Sequence, residues 1–315
     1  MDRRFTNWVG VLVVAAFVAA CVGSTGPSAA TPFTVTPSAT PSIPTPSAAT
    51  PSPSGATAPT YRLRATMTQA TPALTRFGWL PVAAITADLQ VVVAGPQMEL
   101  YPGPLLPNLQ ARPISTDGVA RIVGLARTLG LLSGDGDFTS PNLEPGASLG
   151  RIELVVDGVL HDLTGDPSRL VKCGGGKCVP DPGTPEAFAA FWQAVSDMTW
   201  LEADLGPEAP YVAGAYAILV GVEPVEEPSL PPQVVTWPLE TSLAAFGKPV
   251  GNAPAPSCGT VRGSDAATLR PTLASANQLT RWVDKGAAPV PGTSIQVRPM
   301  VPGEDICREL FDISD

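Results

Sequence analysis

Histidine and charge are scarce in this sequence. Of its 315 residues, 15% are charged, and acidic side chains outnumber basic ones by 28 to 19. A protein that binds nucleic acid neutralises phosphates with clustered lysine and arginine, so this balance argues against a nucleic-acid partner. His161 is the single histidine, and any histidine-based acid–base or metal chemistry would depend on it alone.

The apolar run near the N-terminus is short. It covers residues 8–18, fewer than the roughly 20 that a membrane-spanning helix needs. Arg3 and Arg4 precede the run, and small residues follow it up to Cys21, which is the three-part pattern of a secretory signal. We therefore expect the chain to be exported.

The end of this signal reads Val18-Ala19-Ala20-Cys21. It resembles the lipobox of bacterial lipoproteins, in which an aliphatic residue and two small ones precede an obligatory cysteine. The resemblance implies that residues 1–20 are a cleaved signal peptide and that Cys21 carries a diacylglycerol. Two acyl chains hold a protein stably, so the lipid would anchor it to the extracytoplasmic face of the cell membrane. An ordinary signal peptide or an uncleaved signal anchor is the alternative.

Proline, in contrast, is abundant, with 37 residues. Nine of them fall in residues 22–60, where alanine, threonine, serine and proline repeat without a charged side chain. So few large apolar residues cannot offset the entropy of ordering, and residues 21–60 are predicted to form a disordered, lipid-anchored linker. The composition is also typical of O-glycosylated stalks, and a bare spacer is the alternative.

Four cysteines remain beside Cys21. An even number in an exported chain indicates disulfides, and four cysteines allow three pairings. We favour Cys173 with Cys178, where three intervening glycines let the loop turn back, and Cys258 with Cys307. A four-cysteine zinc site usually shows two short cysteine pairs, so we expect no metal here.

The other 28 prolines lie in residues 61–315 and predict short strands, sheet edges and many turns. Three helices are indicated: one capped at Ser115 or Thr116 and ending before Gly130, one capped at Thr184, and one between Ser264 and Asp284 that is broken near Pro271. Strands are predicted at residues 89–94, 97–101, 110–114, 151–156, 159–163, 211–222, 234–237 and 294–298.

The grouping of these elements predicts an α+β fold. Strands gathered in hairpins with helices between the groups favour antiparallel or mixed sheets of short strands with about three packed helices. The Asp157-Gly158 pair predicts a type I′ hairpin, because glycine suits the positive φ of that turn. We expect two subdomains, residues 61–205 and residues 206–315, the second closed by a disulfide.

Three pieces of this body resemble uncharacterised exported proteins and lipoproteins of high-GC bacteria. They are the Tyr-Pro-Gly-Pro-Leu-Leu-Pro segment at 101–107, the helix from Gly118 to a Gly-Leu-Leu end at 130–132, and the Val-Arg-Pro-Met-Val-Pro-Gly-Glu tail at 297–304 that runs on to Cys307. The resemblance implies export and a common fold, but no chemistry.

Short motifs that suggest chemistry fail in their context. Residues 146–150 match the G-x-S-x-G of α/β-hydrolases, but a hairpin strand follows where that motif needs a helix. Asp135 and Asp137 open like a calcium loop that lacks the turn glycine and the final glutamate. His161 beside Asp162 is more typical of a surface or cross-strand residue than of a general base. No catalytic residue is assigned, and no cofactor is expected.

Two functions are consistent with these features. The first is a non-enzymatic binding or structural module on a lipid anchor, whose partner is an envelope protein or a glycan. The alternative is an exported hydrolase that cleaves glycans with a carboxylate pair such as Asp157 and Asp162.

Overall fold

Helices and strands mix in an α+β fold, which confirms the predicted fold class. The structure is a computed structural model that describes residues 60–68, 71–97, 99–144, 146–169, 180–224, 226–251, 255–287 and 292–313. The chain divides into two units, Met1–Gly55 and Ala56–Asp315, and all described residues belong to the second. The predictions for the signal peptide, for Cys21, for the linker at 21–60 and for the pair of Cys173 with Cys178 lie outside the described residues.

Three helices have 13 residues each, and two shorter ones accompany them. The Ser115 hydroxyl accepts a hydrogen bond from the backbone N–H of Gly118, and the Thr184 hydroxyl accepts one from Ala187, so both predicted caps are present. The helices are α1 (Ala73–Arg76), α2 (Thr116–Thr128), α3 (Pro185–Asp197), α4 (Gly263–Ser275) and α5 (Ile306–Phe311). Residues Thr199–Asp204 and Leu243–Ala245 form 3₁₀ helices.

The larger sheet has eight strands in the order β5-β7-β6-β1-β2-β3-β4-β8. Its neighbours are antiparallel except for the parallel pair β5 and β7. The strands are β1 (Tyr61–Thr68), β2 (Ala83–Thr86), β3 (Gln90–Ala94), β4 (Leu109–Pro113), β5 (Asp137–Phe138), β6 (Leu149–Val156), β7 (Val159–Gly165) and β8 (Ala209–Pro210).

The predicted hairpin joins β6 to β7. Asp157 and Gly158 form its turn with φ of 51° and 79°, as a type I′ turn requires. Ile152 lies opposite Leu163, and Glu153 lies opposite Asp162. Because side chains alternate along a strand, these two pairs face opposite sides of the sheet.

One face of the large sheet carries the main hydrophobic core. Leu63 and Ala65 of β1 and Ile152 of β6 pack there with the apolar sides of α2 and α3. From the helices, Ile122 and Phe188 are fully buried in this core. The opposite face carries charged side chains, among them Arg64 and Glu153.

A second sheet has four strands in the order β11-β12-β9-β14, and a third is a parallel pair of β10 and β13. The core beside them contains Leu269 and Leu273 of α4 and the rings of Trp237 and Trp282, whose centroids are 5.8 Å apart. The strands are β9 (Ala215–Val220), β10 (Val234–Thr236), β11 (Lys248–Pro249), β12 (Ser257–Arg262), β13 (Arg281–Val283) and β14 (Ile295–Pro299).

Cys258 of β12 and Cys307 of α5 form a disulfide, the pairing predicted for them. It fastens the C-terminal helix to the small sheet. In the described part of the chain, no helix is both long and apolar enough to cross a membrane.

Two predicted elements are wrong. Helix α4 continues through Pro271 to Ser275, and residues 281–283 of the predicted helix form strand β13. Leu269 and Leu273 on either side of the proline are fully buried, and this packing outweighs the one backbone hydrogen bond that a proline cannot donate.

The predicted strand at 97–101 is also wrong, since none of its described residues is in a strand. The Gln97 side chain donates to the carbonyls of Gly95 and Asn108, and the Asn108 side chain donates to the carbonyl of Pro96. Side-chain hydrogen bonds therefore shape a loop here in place of a ladder between strands.

Candidate functional site

Strand β14 is the outer strand of the four-stranded sheet, with β9 on its one paired side. The Ser294 carbonyl accepts from Gly221 N–H, and Met300 N–H donates to the Ala215 carbonyl. Paired residues alternate along an antiparallel strand, so the backbone groups of Gln296 and Arg298 also face β9.

The same alternation turns the backbone groups of Ile295 and Val297 away from β9. None of these N–H and C=O groups has a hydrogen-bond partner among the described residues. Pro299 also faces away from β9, but a proline has no backbone N–H. At the unpaired edge of the sheet, Ile295 and Val297 therefore have backbone donors and acceptors that are not used. Pro299, the next residue on this edge, offers only a carbonyl.

A cleft of about 650 Å³ runs along this open edge. Residues 294–298 all line it. Side chains of consecutive strand residues point to opposite faces of a sheet, so a cavity on one face would touch only every second residue. A cavity that touches five consecutive residues must instead lie along the edge of the strand. The other lining residues are Gly78, Leu80, Gln97, Leu100, Gly103, Pro104, Leu105, Pro107, Val222, Glu223 and Gln278.

The opposite wall of the cleft is the proline-rich loop at 99–107. The Gln278 N–H donates to the carbonyl of Gly103, and Leu105 N–H donates to the carbonyl of Ala276. The Tyr101–Pro102 peptide bond is cis. Hydrogen bonds to residues 276–278 therefore fasten the loop at one end, while the side chain of Leu100 remains largely exposed.

Amide and apolar side chains dominate the cleft. Gln296 makes no side-chain hydrogen bond to any described residue, and its amide nitrogen lies beside Gly78. A side chain at position 78 would crowd this amide, since its Cβ would lie 3.1 Å from the Gln296 nitrogen. The glycine keeps the Gln296 amide accessible from the cleft, where it can donate and accept hydrogen bonds.

Arg298 of the cleft belongs to a set of paired charges that we call the arginine–glutamate layer. Its buried members are Arg64, Glu153, Arg298 and Glu304, and its partly exposed member is Glu309. Arg64 Nε donates to Glu153 Oε2 at 2.6 Å, and Arg64 Nη1 donates to Glu309 Oε1 at 2.9 Å. Arg298 Nη2 donates to Glu304 Oε1 at 2.5 Å, and the second oxygen of Glu304 accepts from Val301 N–H at 2.9 Å. The Arg298 and Glu304 side chains are 6% and 1% exposed.

Burial shifts the pKa values of this layer. Loss of hydration raises the pKa of Glu304 and lowers that of Arg298, and each partner's charge offsets part of the shift. Burial by itself would lower the pKa of Arg64, but the hydrogen bond that Arg64 donates to Glu153 and the charge of Glu309 outweigh this effect, so the pKa of Arg64 is raised. Each member of the layer is paired with an opposite charge.

The two cavities meet at this layer. Arg298 and Leu80 line the cleft and also line a second cavity of about 300 Å³, whose wall contains Arg64, Glu304 and Glu309 as well. Tyr211 packs against a separate apolar cluster, and its hydroxyl donates a hydrogen bond to the Met300 carbonyl at 3.0 Å. Burial raises the pKa of Tyr211 to about 12.

The carboxylates suggested for a hydrolase lie elsewhere. Asp157 is in the hairpin turn with its side chain 85% exposed, and it pairs with Arg127. Asp162 makes a two-pronged pair with Arg151. Neither carboxylate lines either of the two cavities.

The remaining motifs occupy structural positions. His161 lies opposite Leu154 in the hairpin, and residues 149–156, after the G-x-S-x-G segment, form strand β6. Carboxylates of Asp135 and Asp137 accept backbone N–H bonds of their own turn. The described residues contain no group of three or more histidine, cysteine, aspartate or glutamate side chains placed to hold a metal ion.

Sequence reasoning did not identify the cleft or the arginine–glutamate layer. A signal was present, however, since two of the segments with the family resemblance form them. The segment 101–107 supplies the proline-rich wall, and the tail at 297–304 supplies Val297, Arg298 and Glu304.

Comparison with protein-family models, with curated proteins and with solved structures finds no match to this chain. The contacts of the cleft and of the arginine–glutamate layer therefore carry the functional interpretation.

Proposed function

We propose that this protein is a non-enzymatic binding module, held by a lipid on Cys21 at the extracytoplasmic face of the cell membrane. Its ligand is an extended segment of an envelope protein, which adds as a strand to the open edge of β14. The observation that carries the proposal is the outward row of unused backbone groups at Ile295 and Val297, facing a cleft of about 650 Å³.

Strand addition uses such an edge directly. The main chain of the ligand supplies the hydrogen bonds that hold it, and pockets for alternate side chains provide specificity. Each hydrogen bond contributes about 1 kcal/mol net, so two residues of edge alone give weak binding. The apolar wall at Leu80, Leu100 and Leu105 supplies further burial.

The proposed linker supports a role at a distance from the membrane. Residues 22–60 number 39, and a flexible chain of that length spans roughly 35 Å, or roughly 120 Å when extended as polyproline II. A module on such a linker samples a wide zone of the envelope. Its acidic net charge of −9 also disfavours adsorption to an anionic membrane surface.

No observation favours the alternative of a glycan-directed hydrolase. Asp157 and Asp162 each pair with an arginine, and neither lines either cavity. The hydrolase stays a hypothesis from sequence.

A photo-crosslinker placed in the cleft tests the proposal. The variant Gln296→benzoylphenylalanine puts the reactive group on β14, and Gln193→benzoylphenylalanine is the matched control on the exposed side of α3. In intact cells we expect a discrete, protease-sensitive adduct from position 296 alone. A glycan adduct would show that the ligand is a sugar and not a polypeptide. Equal labelling from both positions, or no labelling, would contradict a ligand in the cleft.

A further inference from the structure

A second cavity, of about 300 Å³, lies between the charged face of β1 and β6 and the C-terminal segment. We call it the arginine cavity, because four arginines line it. Its wall consists of Arg64, Thr66, Met67, Thr68, Arg76, Trp79, Leu80, Arg151, Arg298, Glu304, Ile306, Glu309 and Leu310.

Arginines outnumber carboxylates among the residues that line the cavity. Four arginines face two glutamates, Glu304 and Glu309, and both glutamates already pair with arginines of the layer. Glu153 and Asp162, which pair with Arg64 and Arg151, do not line the cavity. Counted with these two partners, the four arginines meet four carboxylates, and Arg76 is the one arginine of the wall that has no ion pair among the described residues.

Arg76 is the cation without a counter-ion. It forms no ion pair with any described residue, and its Nε is buried without a hydrogen-bond partner. The Nε of Arg298 is buried and unpartnered as well. A buried N–H of a charged group that donates to nothing is costly, and folded proteins usually give such donors a partner.

We propose that the arginine cavity is a binding site for a phosphate-type oxyanion, either inorganic phosphate or a terminal phosphomonoester. Guanidinium groups present paired donors that match the oxygens of such an anion. Such an anion gives Arg76 the counter-ion that it lacks and offers acceptors to the guanidinium N–H groups that line the cavity. The site goes beyond the proposed strand addition and does not depend on it.

The cavity is built and it is accessible. Arg64 and Arg298 are held in place by buried carboxylates, so two of the four guanidinium groups are fixed before a ligand arrives. Arg151 and Glu309 remain 39% and 34% exposed, so the cavity opens to solvent at this side. Anion entry needs no rearrangement of the sheet.

Titration with inorganic phosphate and with methyl phosphate tests the site. Calorimetry of the full chain purified in detergent, at low ionic strength, gives the affinity, and the Nε–H resonances of the arginines report the place of binding. We expect saturable one-to-one binding that shifts the Arg76 and Arg298 resonances. If methyl phosphate binds more tightly than phosphate, the ligand is a phosphomonoester; if phosphate binds more tightly or alone, it is the free ion.

Charge variants give the matched comparison. Arg76→Gln removes the unpaired cation, and we expect phosphate affinity to fall on the order of tenfold or more. Arg76→Lys should retain part of it. Arg62→Gln removes an exposed arginine of the same strand as Arg64, outside the cavity, and should change the affinity little.

Two results would overturn the proposal: no binding of either anion at millimolar concentration, or an equal loss in Arg76→Gln and Arg62→Gln. If Arg76→Gln does not fold, the wild-type resonances decide. Shifts confined to arginines other than Arg76 and Arg298 then count against the site.

Discussion

Arg64 and Glu153 lie directly opposite each other on neighbouring strands and form a 2.6 Å ion pair in which each side chain is only 6% exposed. Tyr61 adds a third group, since its hydroxyl donates to the other oxygen of Glu153 at 3.2 Å. The pair stabilises the fold only while it is complete, because removal of either partner takes the nearest counter-ion from a buried charge. Arg64 would keep only Glu309, and Glu153 would keep only Arg151 at 3.4 Å.

Removing one member of this pair should destabilise the protein strongly. We expect Glu153→Gln to lower the free energy of unfolding by about 3 kcal/mol, since Arg64 keeps only Glu309. Urea denaturation measures it. The control is Asp157→Asn, which removes an exposed pair with Arg127 and should cost under about 1 kcal/mol. An equal loss of unfolding free energy in both variants would show that the buried pair contributes no more to stability than the exposed pair.

The disulfide between Cys258 and Cys307 should hold the arginine–glutamate layer together. It closes a loop with a sequence separation of 49, for which chain entropy predicts about 4 kcal/mol. Because Cys307 lies two residues before Glu309, we expect the double variant Cys258→Ala, Cys307→Ala to melt at a lower temperature. Within residues 61–315, limited proteolysis of the variant should cut first near α5. A first cut elsewhere in these residues would show that the disulfide does not stabilise the arginine–glutamate layer.

Stability should decrease in alkali because of Tyr211. Its pKa is about 12 in the folded protein, through burial, against an ordinary value of 10.0. The unfolded chain therefore loses this proton first, and the stability contributed by Tyr211 is lost as the pH rises from 10 towards 12. Tyr211→Phe removes this contribution and, at neutral pH, also costs about 1 kcal/mol for the bond to the Met300 carbonyl.

Comparison of wild type and Tyr211→Phe by urea denaturation isolates the effect. The difference in unfolding free energy should be constant from pH 7 to 9, which is the control, and should decrease at pH 11. A constant difference up to pH 12 would mean that Tyr211 ionises no later in the folded than in the unfolded chain.

The proposed anchor depends on one sulfur. We expect Cys21→Ser to move the protein from the membrane pellet to the soluble or secreted fraction, because the diacylglycerol can no longer be attached. Cys258→Ser, which changes a cysteine of the disulfide, is the control and should leave the protein in the pellet. If Cys21→Ser stays in the pellet as well, another feature holds the protein on the membrane.

Sequence predicted the elements whose signals are local. The hairpin of β6 and β7 depends on Asp157-Gly158, and α2 and α3 depend on Ser115 and Thr184 beside their first turns. These neighbours act over a few residues, so they can be recognised without the tertiary structure.

Features that depend on distant partners could not be predicted. Strand β1 was missed because Arg64 suggests a surface position, and its counter-ion, Glu153, is 89 residues away. Pro271 was taken to break a helix that tertiary packing keeps intact. The candidate site was missed for the same reason, since only the strand order shows that β14 is an outer strand.

The open edge of β14 is the central claim, and hydrogen exchange of four consecutive backbone amides tests it most directly. By NMR, Gln296 and Arg298 should exchange slowly, because their N–H groups bond to β9, whereas Ile295 and Val297 should exchange much faster. Addition of a ligand that binds as a strand should protect Ile295 and Val297 alone. Slow exchange of all four amides in the free protein would contradict the account, because it would mean that the edge is already paired.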